Sequence, residues 1–182
     1  MGLDYDLMYF LITRLGKVKL LEYVDPYKDS LKTYLIPTDA LNPHEEVDES
    51  NLKLVIKELT CYGYIKYPIV ADVRTFSVLD GHHRLEAFKI IDIKLIPTFL
   101  VDYAQDYVEV YPRRKDMQVS KVSVVDIALF KKHLYPPKTT RHVYKGLTLQ
   151  PVNISLSLLK RLPDVVLSHI VSLHSLTFKC RQ

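Results

Sequence analysis

The segment Leu79-Asp80-Gly81-His82-His83-Arg84 brings a carboxylate, a glycine, two imidazoles and a guanidinium together in one short run. It follows the apolar stretch Phe76-Ser77-Val78-Leu79 and precedes an amphipathic one, a pattern that predicts strand, tight turn and helix. Asp80 can hold a metal ion or cap the helix. Gly81 lets the backbone turn sharply or approach a ligand closely. His82, His83 and Arg84 then crowd potential donors into the first helical turn, where free N–H groups and the positive end of the helix dipole already favour an anion. This is the chemistry of a phosphate site.

Two further polar clusters stand at the ends of predicted elements. They are Pro43-His44-Glu45-Glu46 and Lys138-Thr139-Thr140-Arg141-His142. Taken singly, each cluster is a helix cap or a surface turn. Zinc is a second reading, since imidazoles and carboxylates are its ligands. However, adjacent histidines point to different sides of a helix, and the i, i+4 histidine pair of helical zinc motifs is absent. The phosphate reading accounts for all three clusters. Phosphoryl transfer needs a cradle for the donor phosphates, a divalent cation, positive charge on the moving group and a base beside the acceptor hydroxyl. Asp80 can place Mg²⁺ directly or through water, and Glu45 can take a proton from an alcohol. Thr139, Thr140, Arg141 and His142 supply hydroxyl, guanidinium and imidazole groups for a small anionic substrate or product. The chain has neither a Walker A signature nor a protein-kinase glycine-rich loop.

The elements that must position these residues follow from the hydrophobic pattern. The 182 residues are 48% hydrophobic, enough for one medium domain with an appendage. Residues 5–13 read as a short helix stopped at Gly16, 18–24 as a strand or helix end, and Thr33 to Pro37 as a strand. Glu49 to Tyr62 carries Leu52, Leu54, Val55, Ile56, Leu59 and Tyr62, mostly on one helical stripe, with Gly63 where a C-cap belongs. Strands are expected at Pro68–Asp72 and Thr75–Leu79 around the turn Asp72-Val73-Arg74. A helix follows from His82 to Ile91, then strands at Leu95–Tyr103 and Tyr107–Tyr111. Ser123-x-x-Asp126 reads as a capping box opening a helix to about His133, ended by Pro136-Pro137. Ile154–Leu162 and Asp164–Leu176 read as helices. The mixed order gives an α+β fold rather than a doubly wound sheet.

Composition narrows the function classes. The net charge of +4 favours anionic ligands. Without a long Lys/Arg block it argues against nucleic acid, and Arg113-Arg114-Lys115 reads as a solvated turn. No apolar run is long enough for a bilayer, and the N-terminus lacks a signal-peptide pattern, so a cytoplasmic protein without a membrane partner is expected. Cys61 and Cys180 form neither a disulfide framework nor a metal pair. Asn and Gln together number only seven, which fits a thermophile.

In order along the chain, Asn42-Pro43-His44-Glu45, the helix ending at Gly63, the Pro68-Ile69 strand and Val78-Leu79-Asp80-Gly81-His82-His83-Arg84 resemble the ParB/sulfiredoxin superfamily. With Pro137-Lys138-Thr139-Thr140-Arg141-His142-Val143 added, the chain is most similar to the archaeal free-serine kinases within it. Generic ParB-like domains lack that last segment. Sulfiredoxins place a catalytic cysteine where His82 stands, and ParB partition proteins carry Gly-Glu-Arg-Arg and a helix-turn-helix domain. The resemblance spans residues 33 to about 143.

The resemblance implies a ParB/sulfiredoxin-like mixed sheet with flanking helices and a small C-terminal substrate-binding lobe. Residues 1–32 would be an N-terminal extension, 33–112 the nucleotide-binding core, 113–162 the substrate-binding lobe and 163–182 an apolar tail packed on the core. It implies phosphoryl transfer from ATP or ADP, with Mg²⁺, to the hydroxyl of L-serine, giving O-phosphoserine for cysteine biosynthesis. Glu45 matches the catalytic base, with Asp80 a second acid/base candidate. Asp80, Gly81, His82, His83 and Arg84 match the donor-phosphate and Mg²⁺ loop. Thr139, Thr140, Arg141 and His142 match the substrate segment, and Tyr111 the substrate-side aromatic. Pro112 to Pro137 is shorter than in longer relatives, which favours ATP over ADP by analogy. The protein is expected as a monomer or small homo-oligomer. The competing reading is a ParB-like nucleotide-binding or DNA-associated module without kinase activity.

Overall fold

The computed structural model describes residues 2–19, 30–130, 133–162 and 171–172. Its centre is a mixed sheet built on the β-branched and aromatic runs of the middle of the chain. Strands β1 (Lys32–Pro37), β3 (Ile69–Asp72), β4 (Val78–Asp80), β5 (Leu95–Val101) and β9 (Val171–Ser172) lie in the order β4-β3-β5-β1-β9. Among the described strands of this sheet only the β3–β5 pair is parallel, in the register Ile69↔Thr98 to Asp72↔Val101. β1 runs antiparallel to β5, from Lys32↔Leu100 to Pro37↔Leu95. Pro97 sits one residue before the β3 pairing begins, so its missing N–H interrupts no ladder on that side.

Both faces of the sheet are covered, which is why its strands read as nearly unbroken apolar runs. On one face, Ile36, Ile69, Ala71, Val78 and Ile96 meet Leu59 of α2 (Glu49–Tyr62), and Leu85 and Phe88 of α3 (His82–Ile90). On the other, Val70, Leu79 and Val101 meet Leu7 and Leu11 of α1 (Tyr5–Lys19), and Val124 and Val125 of α4 (Lys121–Phe130). The alternation of Ile69, Val70 and Ala71 between the two clusters is the period of two that a strand imposes. Two ribbons flank the sheet. β2 (Tyr64–Ile65) pairs with β8 (Ile154–Ser155), and β6 (Val108–Pro112) pairs with β7 (Thr140–Tyr144).

Several elements differ from the sequence expectations. α1 runs through Gly16, because the packing of Leu7 and Leu11 outweighs the roughly 1 kcal/mol that a helical glycine costs. α4 starts one turn earlier than the Ser123-x-x-Asp126 box predicts. Ser120 Oγ accepts from Ser123 N at 3.1 Å while Ser123 Oγ accepts from Ser120 N at 2.9 Å, so Ser120-x-x-Ser123 is the reciprocal cap. Ile154 and Ser155 are strand before the helix α5 (Leu156–Arg161) begins. Within the expected helix 164–176, Val171 and Ser172 instead pair with Leu35 and Tyr34, and the other residues of that span beyond this pair lie outside those described. The expected element over 18–24 lies outside them from residue 20 onward.

The segment expected as a small lobe, 113–162, is divided between the two faces. Val124 and Val125 join one cluster, and Leu156 and Leu159 the other. Among the described residues no helix is long and apolar enough to cross a membrane.

The turn between β3 and β4 is held by buried carboxylates. Asp72 accepts from Thr75 N at 3.0 Å, Thr75 Oγ1 at 2.7 Å and Tyr103 N at 3.0 Å. Asp102 receives Arg74 in a fork, Nε at 3.1 Å and Nη2 at 2.7 Å, with both side chains almost fully buried. Removing one partner of such a pair strands the other's charge. Arg74→Met should therefore lower unfolding stability by about 3 kcal/mol. Urea titration checks this, and a loss below about 1 kcal/mol would contradict the role given to the pair.

Candidate active site

The segment Asn42–Glu46 lies extended between β4 and the loop before β7. Asn42 N donates to Phe76 O at 2.9 Å and Val78 N to Asn42 O at 2.9 Å, while Tyr135 N donates to His44 O and Glu46 N to Tyr135 O. Held on both sides, His44 and Glu45 turn inward, and both are buried. Two residues on, the Asp48 side chain accepts from Asn51 N at 2.9 Å and caps α2. That backbone N–H, with Ser50 and Asn51 side-chain donors and the charge of Lys138, holds the Asp48 carboxyl well below its ordinary range.

The loop Asp80–Arg84 joins β4 to α3. Gly81 takes φ +104°, and a Cβ there would lie 2.5 Å from Ile69 Cγ2. Only glycine serves both the backbone angle and the close packing. Arg84 secures the loop from below. Nη1 donates to Pro68 O at 2.7 Å and Tyr67 O at 3.0 Å, and Nη2 donates to Asp80 Oδ2 at 2.8 Å. The two histidines diverge as helix geometry requires. His82 Nε2 accepts from His44 N at 3.3 Å and His83 Nε2 from Asp48 N at 3.2 Å. Each ring thus uses Nε2 as an acceptor, leaving its hydrogen on Nδ1.

The Lys138–His142 stretch, polar in sequence, begins as a turn and becomes strand β7. Lys138 N donates to Glu45 Oε2 at 3.2 Å, and Thr140 donates to Glu45 Oε1 from both its backbone N and its Oγ1. His44 Nε2 stands 3.0 Å from the same Oγ1. Strand alternation then separates the neighbours. His142 points inward, where its Nε2 meets Tyr103 OH at 2.9 Å and its ring lies 5.7 Å from that of His44. Arg141 points outward beside Tyr111, its cross-strand partner. Thr139 is fully buried and donates to Pro136 O at 2.8 Å.

Glu45, Asp80, Gly81, His82, His83, Arg84 and Thr140 therefore line one cleft of about 730 Å³. Thr139 and His142 stand outside its lining. Tyr111 and Arg141 line a neighbouring outer hollow with Glu109 and Val143, and Arg113 borders both spaces. Sequence patterning did not reveal the far wall of the cleft, which holds Asn51, Leu54, Glu58 and Tyr62 of α2 with Tyr64, Lys66 and Tyr67. The available signal was that Leu54 is apolar yet falls opposite the helical stripe of Leu52, Val55, Ile56 and Leu59; in the structure Leu54 and Tyr62 are 59% and 69% exposed. The cleft thus sets Leu54, Tyr62, Tyr64 and Tyr67 beside charged groups that include Glu58, Lys66, Asp80 and Arg84. Among the described residues no three His, Cys, Asp or Glu side chains gather to hold a metal ion. Asp80 is exposed with Oδ2 on Arg84, which suits a Mg²⁺ ion that keeps several waters and shares a carboxylate with substrate phosphates.

No protein-family model matches the chain. Over 100 residues, 52% of this chain and 39% of the relative, it is 34% identical to an ATP-dependent L-serine kinase of Staphylothermus marinus. Over 101 residues, 53% and 41%, it is 29% identical to an ADP-dependent L-serine kinase of Thermococcus kodakarensis. A ParB-like protein of Sulfolobus acidocaldarius is 34% identical over 74 residues, 38% of this chain and 35% of that one. The matched region spans about two-fifths of the length of the two kinases. Among solved structures, a free serine kinase in complex with AMP superposes with a TM-score of 0.60 at 16% identity, over 71% of this chain and 94% of that one. A conserved protein from Pyrococcus furiosus reaches 0.64 at 15% identity, over 75% and 99%. The chain has the α+β fold of these proteins, a mixed sheet with flanking helices.

Burial keeps the inner imidazoles uncharged. It lowers His44 to about 4, against a smaller upward push from the hydrogen bond to Val78, and lowers His142 to about 3. His82 falls well below its ordinary value for the same reason, helped by its imidazole neighbours and Arg84. A histidine that is harder to protonate folded than unfolded adds stability above its unfolded pKa and loses it as pH falls toward the folded one. Stability should drop between about pH 6.5 and pH 4, by about 3 kcal/mol from fully buried His44 alone. Denaturant melts across that window check this, and a flat profile contradicts it. Gly81→Ala should cost about 2–4 kcal/mol through the clash with Ile69 and the positive φ, read as a lower urea midpoint. An unchanged midpoint would remove the steric role of Gly81.

Proposed function

We propose that this protein is a free L-serine kinase, transferring a phosphoryl group from ATP to the hydroxyl of L-serine to give O-phosphoserine for cysteine biosynthesis in the cytoplasm. The observation that carries the proposal is that the buried Glu45 carboxylate and the Asp80–Arg84 loop at the N-terminus of α3 face one cleft. A base for an alcohol and a cradle for phosphates are the two halves that phosphoryl transfer requires. The relatives named as L-serine kinases support the acceptor. Those named as ATP-dependent, at 34% and 32% identity, support ATP, with ADP the alternative donor.

Within this reading the donor lies along the cleft. Its base meets the apolar wall of Leu54, Tyr62 and Tyr67, and its phosphates approach Gly81 and the first N–H groups of α3. His82 and His83 offer Nδ1–H rather than Nε2–H. Arg84 orients Asp80 and screens its charge. A Mg²⁺ ion held by Asp80 and the donor phosphates would offset negative charge on the transferring group. Glu45 takes the serine proton as the oxygen–phosphorus bond forms. Thr140 holds that carboxylate in place, and Lys138 and Arg113 put positive charge at the rim for an anionic substrate. Arg141 and Tyr111 would act from the outer hollow, reaching the cleft past Arg113.

L-Serine, Mg²⁺ and ATP or ADP should yield O-phosphoserine, detected by ³¹P NMR or mass spectrometry. Glu45→Gln should lower kcat about 10²- to 10⁴-fold while leaving nucleotide binding intact. Absence of product with either donor would refute the assignment.

A further inference from the structure

The hydrogens around Glu45 do not add up to a saturated network. His44 Nδ1 lies 2.8 Å from Val78 O, and a carbonyl can only accept, so Nδ1 carries a hydrogen. Burial keeps this ring neutral at pH 7, which leaves Nε2 bare. That nitrogen faces Thr140 Oγ1 at 3.0 Å. The same hydroxyl faces Glu45 Oε1 in a short contact, and a carboxylate oxygen is also an acceptor. A threonine hydroxyl has one hydrogen, so two acceptors compete for one donor.

We propose that Glu45, Thr140 and His44 form a hydrogen-bonded chain one hydrogen short of saturation, in which Thr140 and His44 position the proton that Glu45 takes from the acceptor hydroxyl. The inference rests on the kinase reading for the identity of that hydroxyl. As the serine Oγ–H bond breaks, an O–H bond forms on the Glu45 carboxyl. The Oγ–P bond forms and the bond from phosphorus to the leaving nucleotide oxygen breaks. Protonated Glu45 can then donate to Thr140 Oγ1, whose own hydrogen turns to His44 Nε2. Every acceptor in the chain is now satisfied, His44 stays neutral, and the proton leaves to water after the product does. The arrangement favours the protonated carboxyl at the moment the reaction creates it, because an unmet buried acceptor costs more than an ordinary hydrogen bond returns.

The surroundings keep the chain's proton demand local. His44 meets the His82 ring of α3 at 4.6 Å, the His142 ring of β7 at 5.7 Å and Tyr135 at 6.4 Å. Burial keeps both neighbouring imidazoles neutral. The charged group nearest Nε2 in this cluster is Glu45 itself, at 3.9 Å. Asp80, Arg84, Arg113 and Lys138 line the cleft in front of Glu45.

The test uses the full chain labelled with ¹⁵N-histidine. Glu45→Leu removes the competing acceptor, which frees the Thr140 hydroxyl to turn to His44 Nε2. The His44 Nε2 resonance should then shift toward its hydrogen-bonded value, and adding Thr140→Val should cancel that shift. In turnover, Thr140→Val, close to isosteric, should lower kcat about 10- to 100-fold with nucleotide KM within about twofold, and Thr140→Ser should restore most of the rate. An Nε2 resonance indifferent to Glu45→Leu overturns the chain whether or not the protein is active. So does an active wild type whose Thr140→Val variant keeps its kcat. A wild type that makes no O-phosphoserine overturns the kinase reading alone, because the resonance still decides the chain.

Discussion

The Glu45 carboxylate is the joint on which the site depends. Oε1 accepts from Thr140 and Oε2 from Lys138, so one side chain ties the extended segment after β1 to the start of β7, more than ninety residues away in sequence. A buried carboxylate is costly unless donors surround it, and here two backbone N–H groups do so. The same bonds bring Lys138 to the cleft rim and direct Thr140 inward. The turn at Lys138, which takes φ +59°, is one that presents its N–H to this carboxylate.

Around this joint the protein packs imidazoles as neutral spacers. His44, His82 and His142 lie ring against ring, with Tyr103 and Tyr135 at the edges. Three charged rings at such distances would repel strongly in a poorly solvated interior, and burial resolves the conflict by keeping them uncharged. A neutral ring can then accept, and His82 takes the His44 N–H, while His83 Nε2 meets the Asp48 N–H. The Asp-Gly-His-His-Arg loop is thus anchored to the Pro-His-Glu segment by its histidines and to the β3 entrance by its arginine. Residues that look like free ligand donors in sequence are largely structural ties that aim a few remaining groups at the cleft.

The positioning elements were legible where local physics decides them. The stripe of Leu52, Val55, Ile56 and Leu59 and the glycine after it define α2, with Gly63 at φ +72°. The strand–glycine–helix pattern at Asp80–Arg84 also stands as the residue types require, whereas the turn expected at Asp72–Arg74 runs further, so that the next strand begins at Val78 rather than Thr75. Elements whose form depends on a distant partner were not legible. Lys138–His142 is polar and reads as a surface turn, yet from Thr140 it is a strand because Val108–Pro112 offers an edge. Ile154 and Ser155 pair with Tyr64 and Ile65 for the same reason, and Val171 and Ser172 with β1.

By itself the sequence determined which chemistry is present: a carboxylate after proline and histidine, a glycine-hinged loop opening a helix, and a Thr-Thr-Arg-His run. It also determined the α+β class, through periodicities that are local. The tertiary structure alone decided which of these groups share a space. It joined Glu45, Thr140 and the Asp80–Arg84 loop in one cleft, turned Arg141 outward and His142 inward, and supplied the aromatic wall from Tyr62, Tyr64 and Tyr67. The reason is the period of a strand and the reach of a hydrogen bond. A side chain's face depends on its register against a partner far along the chain, and no spacing between neighbouring residues encodes that register.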